Sequence, residues 1–157
     1  MRLRASRIVA LAAALSLIAM QACDGGLSKE EFIEAADEIC EKADERSQDL
    51  EAPTNPQALR VFVERAEQIT RRLVEDLREL EPPEDDRDTI ARMIDKIEEA
   101  IGFLPAIEEA ARLSDVAAIQ QLGARLQAAA TEANDLARDY GMEKCGRAAP
   151  AAPEGGG

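Results

Sequence analysis

From Phe32 to Tyr140 the apolar residues return every three or four positions, in four blocks separated by proline and by helix-capping residues. That spacing places each block's apolar side chains on one face of an α-helix. A helix with a single apolar face must bury it against another element. The first block carries Phe32, Ile33, Ala36, Ile39, Cys40, Ala43 and Leu50. Ser28 begins it, with Glu31 three residues on in the reciprocal pattern of a capping box, and Pro53 stops it. The second opens at Asn55-Pro56, a cap followed by proline at the first helical position. Its stripe is Leu59, Phe62, Ala66, Ile69, Leu73, Leu77 and Leu80, and Pro82-Pro83 ends it.

Glu84, Asp85 and Asp86 open the third block, where carboxylates favour the positive end of the helix dipole. Its stripe is Ile90, Met93, Ile94, Ile97, Ile101, Leu104, Ile107 and Ala111. Gly102 and Pro105 fall inside this stripe and predict a kink there. Ser114 and Asp115 supply caps for the fourth block, whose inward residues are Val116, Ile119, Leu122, Leu126, Ala129, Ala133, Leu136 and Tyr140. Gly141 fits the left-handed residue that closes many helices. Short connectors make consecutive helices antiparallel neighbours. The predicted fold is all-α, an up-down-up-down four-helix bundle with one kinked helix, over residues 28–145. Its outer faces offer helix-supporting pairs at Glu38–Lys42, Glu67–Arg71, Asp88–Arg92 and Glu108–Arg112.

Composition agrees and removes several chemistries. Aromatic residues are 3% of the chain and tryptophan is absent, so the core is mainly Ala, Leu and Ile, which suits closely packed helices. Histidine is absent too. Serine and cysteine triads or dyads built on histidine, the Glu-x-x-His pairs of di-iron bundles and Cys-x-x-Cys-His haem attachment are therefore excluded. No glycine-rich phosphate loop and no EF-hand loop is present. These residues predict no catalytic constellation, no cofactor and no metal centre. The group Glu84, Asp85, Asp86 and Asp88 lacks the loop spacing and turn glycine of a calcium site, and reads as a helix start. Tyr140 is expected to pack its ring at the end of the bundle with its hydroxyl in water. The kink at Gly102 and Pro105, where backbone groups lose helical partners, is the candidate ligand region.

The chain's beginning and end read differently. Arg2, Arg4 and Arg7 precede an apolar run from Ile8 to Met20, the pattern of a secretory leader. As a helix that run would span ~20 Å, short of the ~30 Å hydrocarbon core of a bilayer. It ends in Met20-Gln21-Ala22-Cys23, which resembles the lipobox of bacterial lipoproteins, with Ala22 and Cys23 matching and Gln21 departing from the usual small or apolar residue. The resemblance implies cleavage after residue 22 and a lipid on Cys23. Residues 23–27 then form a spacer, and residues 146–157 an Ala, Pro and Gly tail. Losing the three leader arginines takes the net charge from −13 to −16. Such a surface repels phosphate backbones and anionic headgroups, so no nucleic-acid partner is expected and membrane attachment rests on the lipid.

If lipid consumes Cys23, Cys40 and Cys145 remain as an even pair in an oxidising compartment and predict a disulfide, with two buried thiols as the alternative. Cys40 lies ~18 Å along the first helix, whereas Gly141 to Cys145 spans about 13 Å when extended. The link therefore requires Gly141 to turn the chain back along helix one, or the helix ends to be offset. The residues Phe32-Ile33, Ala36-Asp37 and Ile39-Cys40, the Pro82-Pro83 break, and the closing Tyr140-Gly141 and Cys145-Gly146 together resemble a group of small secreted proteins and lipoproteins of actinobacteria-like organisms. That resemblance implies an address and a disulfide, with no activity attached. The functional expectation is a non-catalytic, membrane-anchored module that binds an unknown protein of the cell envelope. The alternative is an extracytoplasmic carrier or sensor for a small ligand or cation.

Overall fold

The computed structural model describes residues 26–147; the leader at 1–22, Cys23, and the tail from residue 148 lie outside the described residues. The helices are α1 (Lys29–Gln48), α2 (Pro56–Glu79), α3 (Arg87–Gly102), α4 (Leu104–Arg112) and α5 (Val116–Tyr140), with a 3-10 turn at Glu84–Asp86 leading into α3. α3 and α4 are two arms of one bent helix. Four helices therefore pack against one another, and no strand occurs among the described residues.

Local chemistry sets the helix ends. The Ser28 hydroxyl accepts from the Glu31 amide at 3.3 Å, while the Glu31 carboxylate accepts from the Ser28 amide at 3.0 Å. Asn55 accepts from the Ala58 amide at 2.9 Å, and Asp115 from the Ala118 amide at 3.0 Å. The bend falls at Phe103, whose amide donates to the Ala100 carbonyl at 3.2 Å instead of continuing the regular ladder. Pro105, one residue into α4, has no N–H for the Ile101 carbonyl and its ring crowds that carbonyl. The predicted kink is thus present, as a break between two helical arms.

Contacts at the two ends establish the up-down-up-down order. At one end the Leu27 amide donates to the Glu81 carbonyl at 2.8 Å, and the rings of Phe32 and Tyr140 meet edge to face at 6.0 Å. At the other, Pro53, Asn55 and Leu59 lie beside Ala111, Ser114, Val116 and Ile119. α3 packs most extensively on α5, α1 packs on α2, and α2 meets both arms of the bent helix. No Cα of α1 lies within 8 Å of a Cα of α5. The first and last helices are instead joined by the turn that follows α5.

The core gathers Phe32, Ala36, Val74, Leu77, Ile90, Met93, Ile94, Ile101, Ala137, Tyr140 and Met142. Parts of the predicted faces are rotated or shortened. Val63 and Val74 are buried in α2, while Leu59 and Leu73 are half-buried, so the buried face lies about one residue around from the predicted stripe. Val116 is exposed, and Ile119, Leu122 and Leu126 are half-buried. The first turn of α5 sits at the rim of the bundle, beyond the cover of its neighbours. Glu38–Lys42 and Glu67–Arg71 pair as the spacing predicts, at 3.5 and 2.6 Å. Arg112 turns to Glu109 at 2.6 Å rather than to Glu108, and Arg92 reaches the Asp88 carbonyl at 3.4 Å rather than its carboxylate. Arg78–Glu98 and Lys96–Glu132, at 2.9 and 2.7 Å, cross between helices, which no single-helix pattern reveals.

Candidate functional site

The most constructed place on the molecule is where the end of the chain meets α1. Gly141 adopts a left-handed conformation at φ 110°, which its missing Cβ permits. Its amide donates to the Arg138 carbonyl at 3.0 Å, and the Met142 amide donates to the Ala137 carbonyl at 2.9 Å. This is a Schellman closure, and its usual apolar contact is supplied by Met142 and Ala137, both buried. The closure reverses the chain and sends residues 142–146 back along α1. There the Asp37 carboxylate accepts from the amides of Glu143, Lys144 and Cys145 at 2.9, 2.8 and 3.1 Å. Lys144 Nζ pairs with Glu41 at 2.7 Å, and that hydrogen bond holds the Glu41 carboxyl below the usual carboxylate range. Asp44 lies one turn further along, where burial pushes its carboxyl up, partly offset by the charge of Arg147.

Cys40 and Cys145 form a disulfide at this seam, with their Cα atoms 5.2 Å apart. The predicted pairing is present, and of the two geometric routes it takes the reversal at Gly141. Gly146, assigned from composition to the tail, is buried; a Cβ there would lie 2.8 Å from the Met142 carbonyl oxygen and 3.0 Å from the Arg138 Cβ. Sequence reading missed Asp37 and Met142. Met142 had a signal, an apolar residue directly after a helix-closing glycine. Asp37 had none, because its partners lie more than a hundred residues away.

The structure separates the two residues of the candidate ligand region. Gly102 is exposed and lines an open groove with Arg71, Val74, Glu75, Arg78 and Glu98. Pro105 lines a different one, with Gln57, Arg60, Glu108 and Arg112. The break leaves them on different surfaces and builds no common site. Among the described residues, no group of three or more Cys, Asp or Glu side chains is placed to hold a metal ion. Tyr140 departs from its expected environment. It is buried, and its hydroxyl donates to Asp86 at 2.7 Å rather than standing in water. Burial first, then the Asp86 carboxylate, holds the phenol well above its ordinary pKa. Asp86 therefore serves as an acceptor for α5 as well as a residue of the helix start.

One apolar feature remains uncovered. Leu113 and Val116 are 61% and 63% exposed at the α4–α5 corner, beside a groove of about 250 Å³ lined by Pro53, Asn55, Leu59, Ala111 and Ile119. Asp49 and Glu51 stand in the loop that carries Pro53, and Glu108 and Asp115 flank the corner; none of these four has an ion-pair partner among the described residues. This end is opposite the one from which the chain leads back, through Gly26 and Leu27, toward Cys23. Cys23 itself lies outside the described residues. No helix among the described residues is long and apolar enough to cross a membrane. No family model, no curated protein and no solved structure matches the chain.

Proposed function

We propose that the chain is an exported lipoprotein of the cell envelope, anchored by a lipid on Cys23, whose helical bundle is a non-catalytic module for binding a partner protein. The observation that carries the interaction half is the exposed apolar corner of Leu113 and Val116 at the end remote from the anchor. Isolated surface hydrophobes are ordinary, but two large ones beside an apolar groove mark a surface suited to association. The unpaired carboxylates around it favour a partner that presents an apolar residue among basic ones.

Anchoring and geometry support each other in this reading. Only four residues separate Cys23 from Leu27, and Leu27 is fastened to Glu81. Such a tether reaches about 14 Å at most. It keeps the Leu27 end near the lipid, while α2, at 24 residues, sets the far corner about 36 Å away. The apolar corner then faces away from the membrane, toward envelope partners. The leader, the lipobox-like Met20 to Cys23 and the absence of histidine support the same address and the same lack of catalysis.

Two measurements test the proposal. Intact mass of the membrane-extracted protein gives a chain starting at Cys23 with added diacyl mass, and Cys23→Ser releases it from the membrane or leaves it unprocessed, because two acyl chains hold a protein stably. Wild-type protein that washes off without detergent ends the anchoring half. A photo-crosslinking residue at position 113, introduced in cells, captures a discrete envelope protein that the same residue at exposed position 91 does not. Identical patterns from the two positions end the interaction half.

A further inference from the structure

We propose that Asp37 is the positioning residue for the Cys40–Cys145 disulfide: its carboxylate gathers the turn carrying Cys145 onto α1 before the sulfurs are joined. The three amides that it accepts belong to Glu143, Lys144 and Cys145 itself. Amide hydrogen bonds to an ionised carboxylate are about twice as strong as neutral ones. Around them, Met142 is fully buried, Lys144 pairs with Glu41, and Gly146 packs against Arg138. None of these contacts involves sulfur, so the turn has a hold on α1 that does not depend on the bond.

The register makes the hold productive. Asp37 and Cys40 are three residues apart on one helix and therefore share a face. The carboxylate that fixes the Cys145 amide thus stands one turn from the sulfur that Cys145 must meet. The two cysteines are separated by 105 positions, and bringing such distant residues together carries a loop-closure cost in entropy. Docking the turn meets that cost with hydrogen bonds and apolar contacts, leaving the thiols as neighbours when an oxidant arrives.

With a low-molecular-weight disulfide of the oxidised-glutathione kind, one protein thiolate attacks a sulfur of the oxidant, breaks its S–S bond and expels one thiolate. The second protein thiolate then attacks the mixed disulfide, forms the Cys40–Cys145 bond and expels the other. The protein gives up two electrons and two protons, and the oxidant takes them up as two thiols. Asp37 takes no part in the electron transfer; it sets the effective concentration at which the second step occurs.

The test uses the full chain carrying Cys23→Ser, so that only two thiols remain, equilibrated with reduced and oxidised glutathione. Asp37→Ala lowers the effective concentration of the thiol pair by on the order of tenfold or more. Asp37→Asn, which keeps one carbonyl oxygen for Lys144 and Cys145, falls between. In concentrated urea all three proteins give the same low value, because no turn is docked there. A native-state value for Asp37→Ala equal to that of the parent overturns the proposal, and so does a difference that persists in urea. If Asp37→Ala does not fold, amide exchange in Cys40→Ser/Cys145→Ser decides the matter. Protected amides at 143–145 sustain the proposal, and amides that exchange as freely as an unfolded chain overturn it.

Discussion

The hydroxyl of Tyr140, the last residue of α5, donates a 2.7 Å hydrogen bond to the carboxylate of Asp86, the residue immediately before α3. It ties the two most extensively packed helices together at the anchored end. Burial and that carboxylate raise the phenol's pKa above its ordinary 10.0, so the folded protein keeps the proton where the unfolded chain would release it. The stability linked to the neutral phenol is complete below pH 10 and declines as pH rises from there toward the folded pKa. Urea titrations from pH 9 to 11.5 show a steeper alkaline loss for the wild type than for Tyr140→Phe. At neutral pH the substitution costs about 1–2 kcal/mol, the value of one hydrogen bond to a charged acceptor. Parallel pH profiles would show that the phenol is not the alkaline sensor.

Core substitutions separate the observed faces from the predicted ones. Phe32 and Leu77 are almost completely buried, so Phe32→Ala costs ~3–5 kcal/mol and Leu77→Ala ~2–5 kcal/mol. Leu73 and Leu126, equal to Leu77 as stripe residues in the sequence, are half-buried and lose less. Glu75→Ala, on the exposed side of α2, stays within about 0.5 kcal/mol. Chemical denaturation of the five proteins orders them, and equal losses at residues 73 and 77 would contradict the observed rotation of α2.

Two glycines respond in opposite directions to one methyl group. Nothing lies within 4 Å of a Cβ at Gly102, which is exposed and helical, so Gly102→Ala stabilises by about 0.5–1 kcal/mol. At Gly146 the added carbon meets the Met142 carbonyl oxygen at 2.8 Å and the Arg138 backbone at 3.1 Å. Gly146→Ala therefore destabilises and loosens the C-terminal turn, which thermal unfolding and amide exchange at residues 143–145 both detect.

Removing the disulfide measures the chain-level constraint. The bond closes a separation of 105 residues, and Cys40→Ser/Cys145→Ser loses about 4–5 kcal/mol if loop entropy dominates. A loss well below 2 kcal/mol in urea would mean that the Asp37-held turn keeps the unfolded or partly folded chain nearly as compact as the bond does.

Local patterns determined the number of helices, their limits and their order. Period, caps and prolines act within a few residues, and each places its own backbone without reference to the rest of the chain. The Ser28–Glu31 box, the Asn55 and Asp115 caps, the Pro105 break and the Gly141 closure all appear where those residues stand. The pairing of Cys40 with Cys145 was legible as well, because so few cysteines leave few pairings. Tertiary packing alone decided which side of each stripe is buried, and so exchanged Leu73 for Val74 as core and left Val116 in water. It also placed Asp86 under Tyr140, Asp37 under residues 143–145, and Gly102 and Pro105 on separate grooves. The reason is physical. A polar side chain's partner is chosen by distance in space after the helices have packed, and residues far apart in the chain leave no periodic trace of the hydrogen bonds they will share.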